Sequence, residues 1–229
     1  MRLLLWDIDG TLLYSGGVAG EAMRAAMARI YGRPSSNDRR EYAGKTDQQI
    51  IIETFPEHDA EALVTRLDAF AEAYMQELTV RRTEMAQRGR VLAGVPQALQ
   101  FFMAHPDIRQ SVLTGNMQAV AALKLQLTNL YDLIDMRMGA YGSDHRHRVE
   151  LPGFALQRAQ TVLGTTLRGS DLVIIGDTPN DIACGKAHGA RTVAVATGPF
   201  TVADLAAHHP DAVLPDLADL DAVTRAILG

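Results

Sequence analysis

The stretch Leu3-Leu4-Leu5-Trp6-Asp7-Ile8-Asp9-Gly10-Thr11 most limits what this chain can fold into. Its apolar run is long enough for one buried strand, and it stops abruptly at two carboxylates, a glycine and a hydroxyl. In an open α/β sheet, ligands sit in the crevice beyond the carboxyl ends of the strands. Asp7 and Asp9 therefore stand where chemistry would be done, and Gly10 lets the backbone approach a ligand closely.

The segments downstream fall into two textures. From Val18 to Tyr31, the residues Ala22, Met23, Ala26, Met27 and Ile30 recur at three- and four-residue steps, as on one helix face. The segment 32–38 is a loop by composition, and Gly44-Lys45-Thr46-Asp47 reads as a turn into a helix capped by Thr46 or Asp47. A longer helical pattern follows from about Asp59 to Met85. The whole of 15–88 shows no convincing strand and reads as an all-helical insertion, entered through a flexible Tyr14-Ser15-Gly16-Gly17 exit. Beyond Gly89, strands alternate with helices. Expected strands lie at Ser111–Leu113, Met136–Gly139, Leu172–Ile175, Thr192–Ala196 and Ala212–Leu214. Expected helices start near Pro96, Met117, Pro152, Pro179 and Leu217. Strands regularly followed by helices imply right-handed βαβ units, hence an α/β, doubly wound parallel sheet formed by 1–14 and 89–229.

Bulk properties narrow the function. A net charge of −5 with no long run of one sign argues against a nucleic-acid-binding surface. The single cysteine, Cys184, excludes an internal disulfide framework and suits a reducing compartment. The opening apolar run is interrupted too early for a signal peptide, and no run reaches membrane-spanning length. These features predict a soluble, cytoplasmic protein with no nucleic-acid or membrane partner.

Three further strand ends carry polar residues. Thr114-Gly115-Asn116 offers a hydroxyl and backbone N–H groups ahead of a helix N-terminus, a setting that binds anions, although Thr114 or Asn116 also reads simply as a helix cap. Gly176-Asp177-Thr178-Pro179-Asn180-Asp181 places one acid at a strand end and another in the first helical turn. With Asp7 these form an all-oxygen set suited to a hard cation such as Mg2+. Acids that hold Mg2+ and receive phosphate also need a positive side chain, and the loop Asp144-His145-Arg146-His147-Arg148 supplies arginines.

In this order, Asp7-x-Asp9-Gly10-Thr11, Leu113-Thr114-Gly115-Asn116 and Gly176-Asp177-x-x-x-Asp181 resemble the first, second and fourth motifs of the haloacid dehalogenase superfamily. The helical stretch 15–88 resembles the small cap domain of its phosphoglycolate phosphatase and β-phosphoglucomutase-like branch. The resemblance implies a Rossmann-like core and a Mg2+-dependent phosphatase acting on a small phosphorylated metabolite. Asp7 would attack phosphorus and become an aspartyl-phosphate. Asp9 would protonate the leaving alcohol and then activate water. Mg2+ would be held by Asp7, the Asp9 main-chain carbonyl and Asp177, with Asp181 direct or through water. Gly10, Thr11, Thr114, Gly115 and Asn116 would bind phosphate. Lys45 would reach the substrate from the cap, and Gly16, Gly17 and Gly89 would serve as hinges. An acid at position 9 favours an alkoxide leaving group over a halide. The third motif departs from the family, whose lysine is replaced here by Arg148, or by Arg146 farther from the helix, with Lys186 a weaker alternative. A phosphomutase of the β-phosphoglucomutase kind shares all these motifs, and a phosphate-binding, receiver-like module shares the acids at strand ends.

Overall fold

The structure, a computed structural model, describes residues 1–36 and 38–229, so Asn37 in the expected 32–38 loop lies outside the described residues. Among the described residues seven strands form: β1 (Arg2–Trp6), β2 (Leu13–Tyr14), β3 (Arg90–Val91), β4 (Ile108–Val112), β5 (Leu172–Gly176), β6 (Arg191–Val195) and β7 (Ala212–Leu214). Five make one sheet in the order β4-β1-β5-β6-β7, parallel throughout, with β1 between β4 and β5. Side chains on a strand alternate between faces, and β1 uses both. Leu4 and Trp6 join one apolar layer with Leu99 and Phe102, while Leu3 and Leu5 join another with Ala155 and Ala159. A strand buried on both sides has no polar alternation, which is why Leu3 to Trp6 read as a continuous apolar run.

Helices α1 (Val18–Tyr31), α2 (Arg39–Tyr42), α3 (Asp47–Thr54), α4 (Ala60–Val64), α5 (Leu67–Val80) and α6 (Arg82–Arg88) lie between β2 and β3. The remaining helices follow β3: α7 (Val95–Met103), α8 (Gln118–Leu127), α9 (Leu151–Leu163), α10 (Pro179–Ala187), α11 (Val202–Ala206) and α12 (Leu220–Leu228). None of the described helices is long and apolar enough to cross a membrane.

Several local expectations need correction. The Tyr14 exit is not a loose connection, because Leu13 and Tyr14 pair antiparallel with Val91 and Arg90, tying together the two chain connections of the helical stretch. The 59–85 pattern is not one helix but breaks at Arg66 and Arg81, both of which leave helical geometry. Met136–Gly139 is not a strand. Asp135 accepts the Arg137 N–H and caps a single 3-10 turn at Met136–Met138, leaving only an isolated bridge between Leu113 and Ala140. The loop that carries Arg146 and Arg148 leaves Arg146 exposed, but buries Arg148 and, just ahead of it, Tyr141.

Phe102 packs fully buried against Trp6, with ring centroids 6.3 Å apart, and so links α7 to the central strand. Truncation in such a setting removes transfer energy and leaves a cavity, so Phe102→Ala should lower unfolding free energy by ~3–5 kcal/mol in urea titrations. A loss within the range of ordinary surface substitutions would contradict this packing.

Candidate active site

Because β4, β1, β5 and β6 are neighbours, the residues after them converge on one edge of the sheet: Thr114, Asp7, Asp177 and Thr197. The turn after β1 is closed by Gly10 N–H donating to the Leu13 carbonyl at 2.8 Å, and Thr197 Oγ1 donates to the Gly10 carbonyl at 2.5 Å. Gly10 has φ +92°, and a Cβ there would fall 2.3 Å from Asp177 Oδ2. Conformation and close approach therefore both demand glycine.

Asp7, Asp177 and Asp181 are all buried, and each offers an oxygen within 4.8 Å of the others. Burial, opposed by Arg148 and reinforced by Asp181, pushes Asp7 up to about 7. Burial and then the Asp7 and Asp181 charges drive Asp177 well above the usual carboxylate range. The counter-charge is Arg148: its Nη2 donates to Asp7 Oδ1 at 2.8 Å and Asp181 Oδ1 at 2.5 Å. Its buried Nε has no acceptor among the described residues. Arg146, by contrast, is exposed beside His147, and Lys186 donates to the His208 carbonyl. Asp181 is further anchored by the Thr178 N–H and hydroxyl, in a capping box that starts α10. Thr11 Oγ1 donates to Asp177 Oδ1 at 3.3 Å. Three buried carboxylates around one guanidinium leave negative charge in excess. A hard divalent cation fits this all-oxygen donor set.

The acids open onto a cavity of about 420 Å3. Asp7, Asp9, Thr114, Gly115, Asn116, Arg148 and Asp177 line one side, and Met23, Arg24, Ser35, Tyr42 and Lys45 line the other. Lys45 is thus at the cavity, with its ammonium 2.6 Å from Glu53. The loop before α3 is fastened to the sheet side. Asp47 N–H donates to the Gly115 carbonyl at 2.8 Å, Met117 N–H donates to Asp47 Oδ2 at 2.9 Å, and Gln48 Nε2 donates to the Gly142 carbonyl at 2.7 Å. Thr46 caps α3 and donates to the Arg146 carbonyl at 2.6 Å. A Cβ on Gly115 would lie 2.0 Å from the Lys45 carbonyl oxygen, so only glycine admits this contact.

Two buried residues escape a reading of motifs alone. Lys124 Nζ lies 2.6 Å from both Asp9 Oδ2 and Asn116 Oδ1. Its signal is periodic: Met117, Val120, Ala121, Lys124 and Leu125 form one buried stripe, and a lysine on it needs a polar partner. Asp47 gives no such signal, because an acid in the first turn of a helix ordinarily faces solvent.

The fold and site together bring buried acids and hydrogen-bond donors to the ends of parallel strands. A family model described as HAD-hydrolase-like matches residues 152–220. The phosphoglycolate phosphatase of Thiobacillus denitrificans is 27% identical over 227 residues, spanning 96% of this chain and 93% of that protein. Among solved structures, CbbY from Rhodobacter sphaeroides, in complex with phosphate, superposes with a TM-score of 0.71 at 16% identity, covering 100% of both chains. A HAD hydrolase of family IA, variant 3, from Entamoeba histolytica gives 0.70 at 17% identity, again over 100% of both. These findings bear out the resemblance to the haloacid dehalogenase superfamily and the reading of the chain as a hydrolase.

Burial pushes Asp47 up to about 6, against the pull of Lys124 and the Met117 N–H. A carboxyl raised in the folded state binds more protons there than when unfolded. Its contribution to stability is therefore full at low pH and lost as pH rises from about 4 to about 6. Asp47→Asn removes this term. The stability of the variant relative to the parent should climb by ~2–3 kcal/mol across that window and level off above it. Thermal unfolding of both proteins across a pH series reads the difference; a gap that does not change with pH would remove the assigned cause.

Proposed function

We propose that the protein is a Mg2+-dependent phosphatase that hydrolyses a small phosphorylated metabolite in the cytoplasm through an aspartyl-phosphate on Asp7. The observation that carries this reading is the Arg148 guanidinium, buried and hydrogen-bonded to Asp7, in the lining of a cavity that Thr114, Asn116 and Asp9 also line. Asp7, Asp177 and the Asp9 main-chain carbonyl would hold Mg2+, with Asp181 direct or through water. When bound, Mg2+ shields the like charges of carboxylate and phosphate.

Arg148 orients the Asp7 carboxylate toward phosphorus and draws negative charge from the phosphoryl oxygens. Its unpartnered Nε is a further donor beside the acceptors a phosphate brings. Thr114 Oγ1 accepts from the Asn116 amide at 2.7 Å, which leaves the hydroxyl proton to donate to a phosphoryl oxygen. Gly115 lines the same cavity, while Gly10 and Thr11 lie behind it, where the Thr11 hydroxyl holds Asp177. As Asp7 bonds to phosphorus, the ester oxygen leaves with a proton from Asp9. Asp9 then takes a proton from the water that releases phosphate.

Helices α1 to α6 act as a cap over the cavity, hinged at Gly16, Gly17 and Gly89. Their polar lining, including Arg24, Ser35, Tyr42 and Lys45, meets the alcohol part of the substrate. The named activity of the Thiobacillus denitrificans relative makes phosphoglycolate a natural first substrate to assay.

A screen of small phosphomonoesters with and without Mg2+ tests this reading. Turnover should require the metal, and acid-quenched protein should carry one phosphoryl group on the peptide containing Asp7. Asp7→Asn should reduce turnover to background. Arg148→Ala should lower kcat by ~10²–10³-fold, the scale for removing one preorganised donor, while Arg146→Ala should leave it unchanged. Full activity in Asp7→Asn would refute the nucleophile.

A further inference from the structure

Lys124 has no part in the chemistry described so far, yet its side chain is only 2% exposed. A buried ammonium is costly unless it is paired and hydrogen-bonded. It lies outside both the cavity wall and the Asp7, Asp177 and Asp181 cluster. What it touches is the back of the wall: Asp9 Oδ2 and Asn116 Oδ1, each at 2.6 Å, with the Tyr74 ring centroid 5.9 Å away.

The hydrogen-bond chemistry of this cluster has one consistent arrangement. An ammonium is a donor only, so Asn116 turns its carbonyl oxygen toward Lys124. That turns the amide nitrogen toward Asp9 Oδ2 at 2.8 Å and Thr114 Oγ1 at 2.7 Å. One Asp9 oxygen therefore receives two donors, one of them charged, while the side chain remains 40% exposed at the cavity. Asn116 is locked in turn, and it serves Thr114 as well as Asp9.

We infer that Lys124 is a positioning residue for Asp9. By holding Oδ2 from behind, directly and through Asn116, it fixes the carboxyl group so that Oδ1 exchanges the proton with the substrate's ester oxygen. In that step Asp7 forms a bond to phosphorus, the phosphorus–ester oxygen bond breaks, and the proton on Asp9 passes to the departing oxygen. Lys124 touches neither substrate nor phosphorus. The inference rests on the reading of Asp9 as the acid.

Leaving-group dependence separates positioning from a structural role. An alkyl phosphate expels a poor leaving group that needs the proton, whereas p-nitrophenyl phosphate expels one that does not. In kcat/KM, which reports steps only through departure of the leaving group, Lys124→Met should lose ~10²-fold on the alkyl ester and less than about threefold on p-nitrophenyl phosphate. Asp9→Asn should show the same split, and Lys124→Gln, which restores a neutral donor, should recover part of the alkyl rate. Thermal unfolding confirms that each variant is folded; if Lys124→Met is not, Lys124→Gln against the parent carries the comparison. Equal losses on both esters, or no loss on either, would overturn the inference. If Asp9→Asn shows no split while Asp7→Asn is inactive, the acid assignment falls and the inference with it. If the parent hydrolyses neither ester, the phosphatase reading fails first and takes this inference with it.

Discussion

Crowding of like charge at one sheet edge is the constraint on which the rest of this structure depends. Parallel strands side by side deliver their following residues to the same crevice, and here three of those deliveries are acids: Asp7 and Asp177 after strands, and Asp181 one turn into α10. Burial strengthens their mutual repulsion, since unit charges interact far more strongly in a protein interior than in water. Arg148 is the protein's answer, and its position follows from local structure. The chain turns through Arg148–Glu150 directly into α9, and the Cys184 thiol, itself buried, donates to the Arg148 carbonyl at 3.1 Å. The guanidinium thus approaches the acids from a segment packed on both sides.

The same edge is where the helical stretch meets the sheet. The loop before α3 gives the Asp47 N–H to Gly115, and its Asp47 side chain takes the Met117 N–H just ahead of α8. Glycine at 115 and at 142 permits this, since a Cβ at either would collide with backbone, at 2.0 and 1.8 Å respectively. Polar loops that touch through main-chain groups can separate at modest cost, because water replaces the hydrogen bonds. Beside these loops the junction is also apolar, since Phe70 and Tyr74 of α5 share one buried cluster with Met117 and Val120.

Much of this was legible in the residues. Short apolar runs followed by acids or hydroxyls identified the parallel sheet and the edge that borders the cavity, because burial on both faces removes the polar alternation that would otherwise mark a strand. The extent of α1 was readable from its three- and four-residue spacing, and α10 from Pro179 following Thr178. Less was readable where a side chain competes with the main chain. Asp135 converted an apparent strand at Met136–Gly139 into a capped turn, and nothing in hydrophobic spacing reports that competition. β2 and β3 are two residues each, too short for any periodicity. At the site, motif spacing located Asp7, Asp9, Thr114 and Asp177. It did not locate Lys124 or Asp47, whose importance comes from which helix face packs inward.

Two buried cations divide the acids between them. Arg148 serves Asp7 and Asp181, and Lys124 serves Asp9 and, at longer range, Asp47. The division suits their chemistry. A planar guanidinium bridges two carboxylates and keeps further donors for a tetrahedral anion. An ammonium is a compact point charge that fits behind a wall, and burial, which works against its charge, is outweighed by Asp9 and Tyr74. Exchanging the two would leave Asp7 and Asp181 without a bridge and set a planar fork of donors where a compact ammonium meets Asp9 Oδ2 and Asn116 Oδ1. The arginine before α9 and the lysine in α8 therefore form one division of labour: the chain uses an arginine where two acids must be joined and a lysine where one must be held.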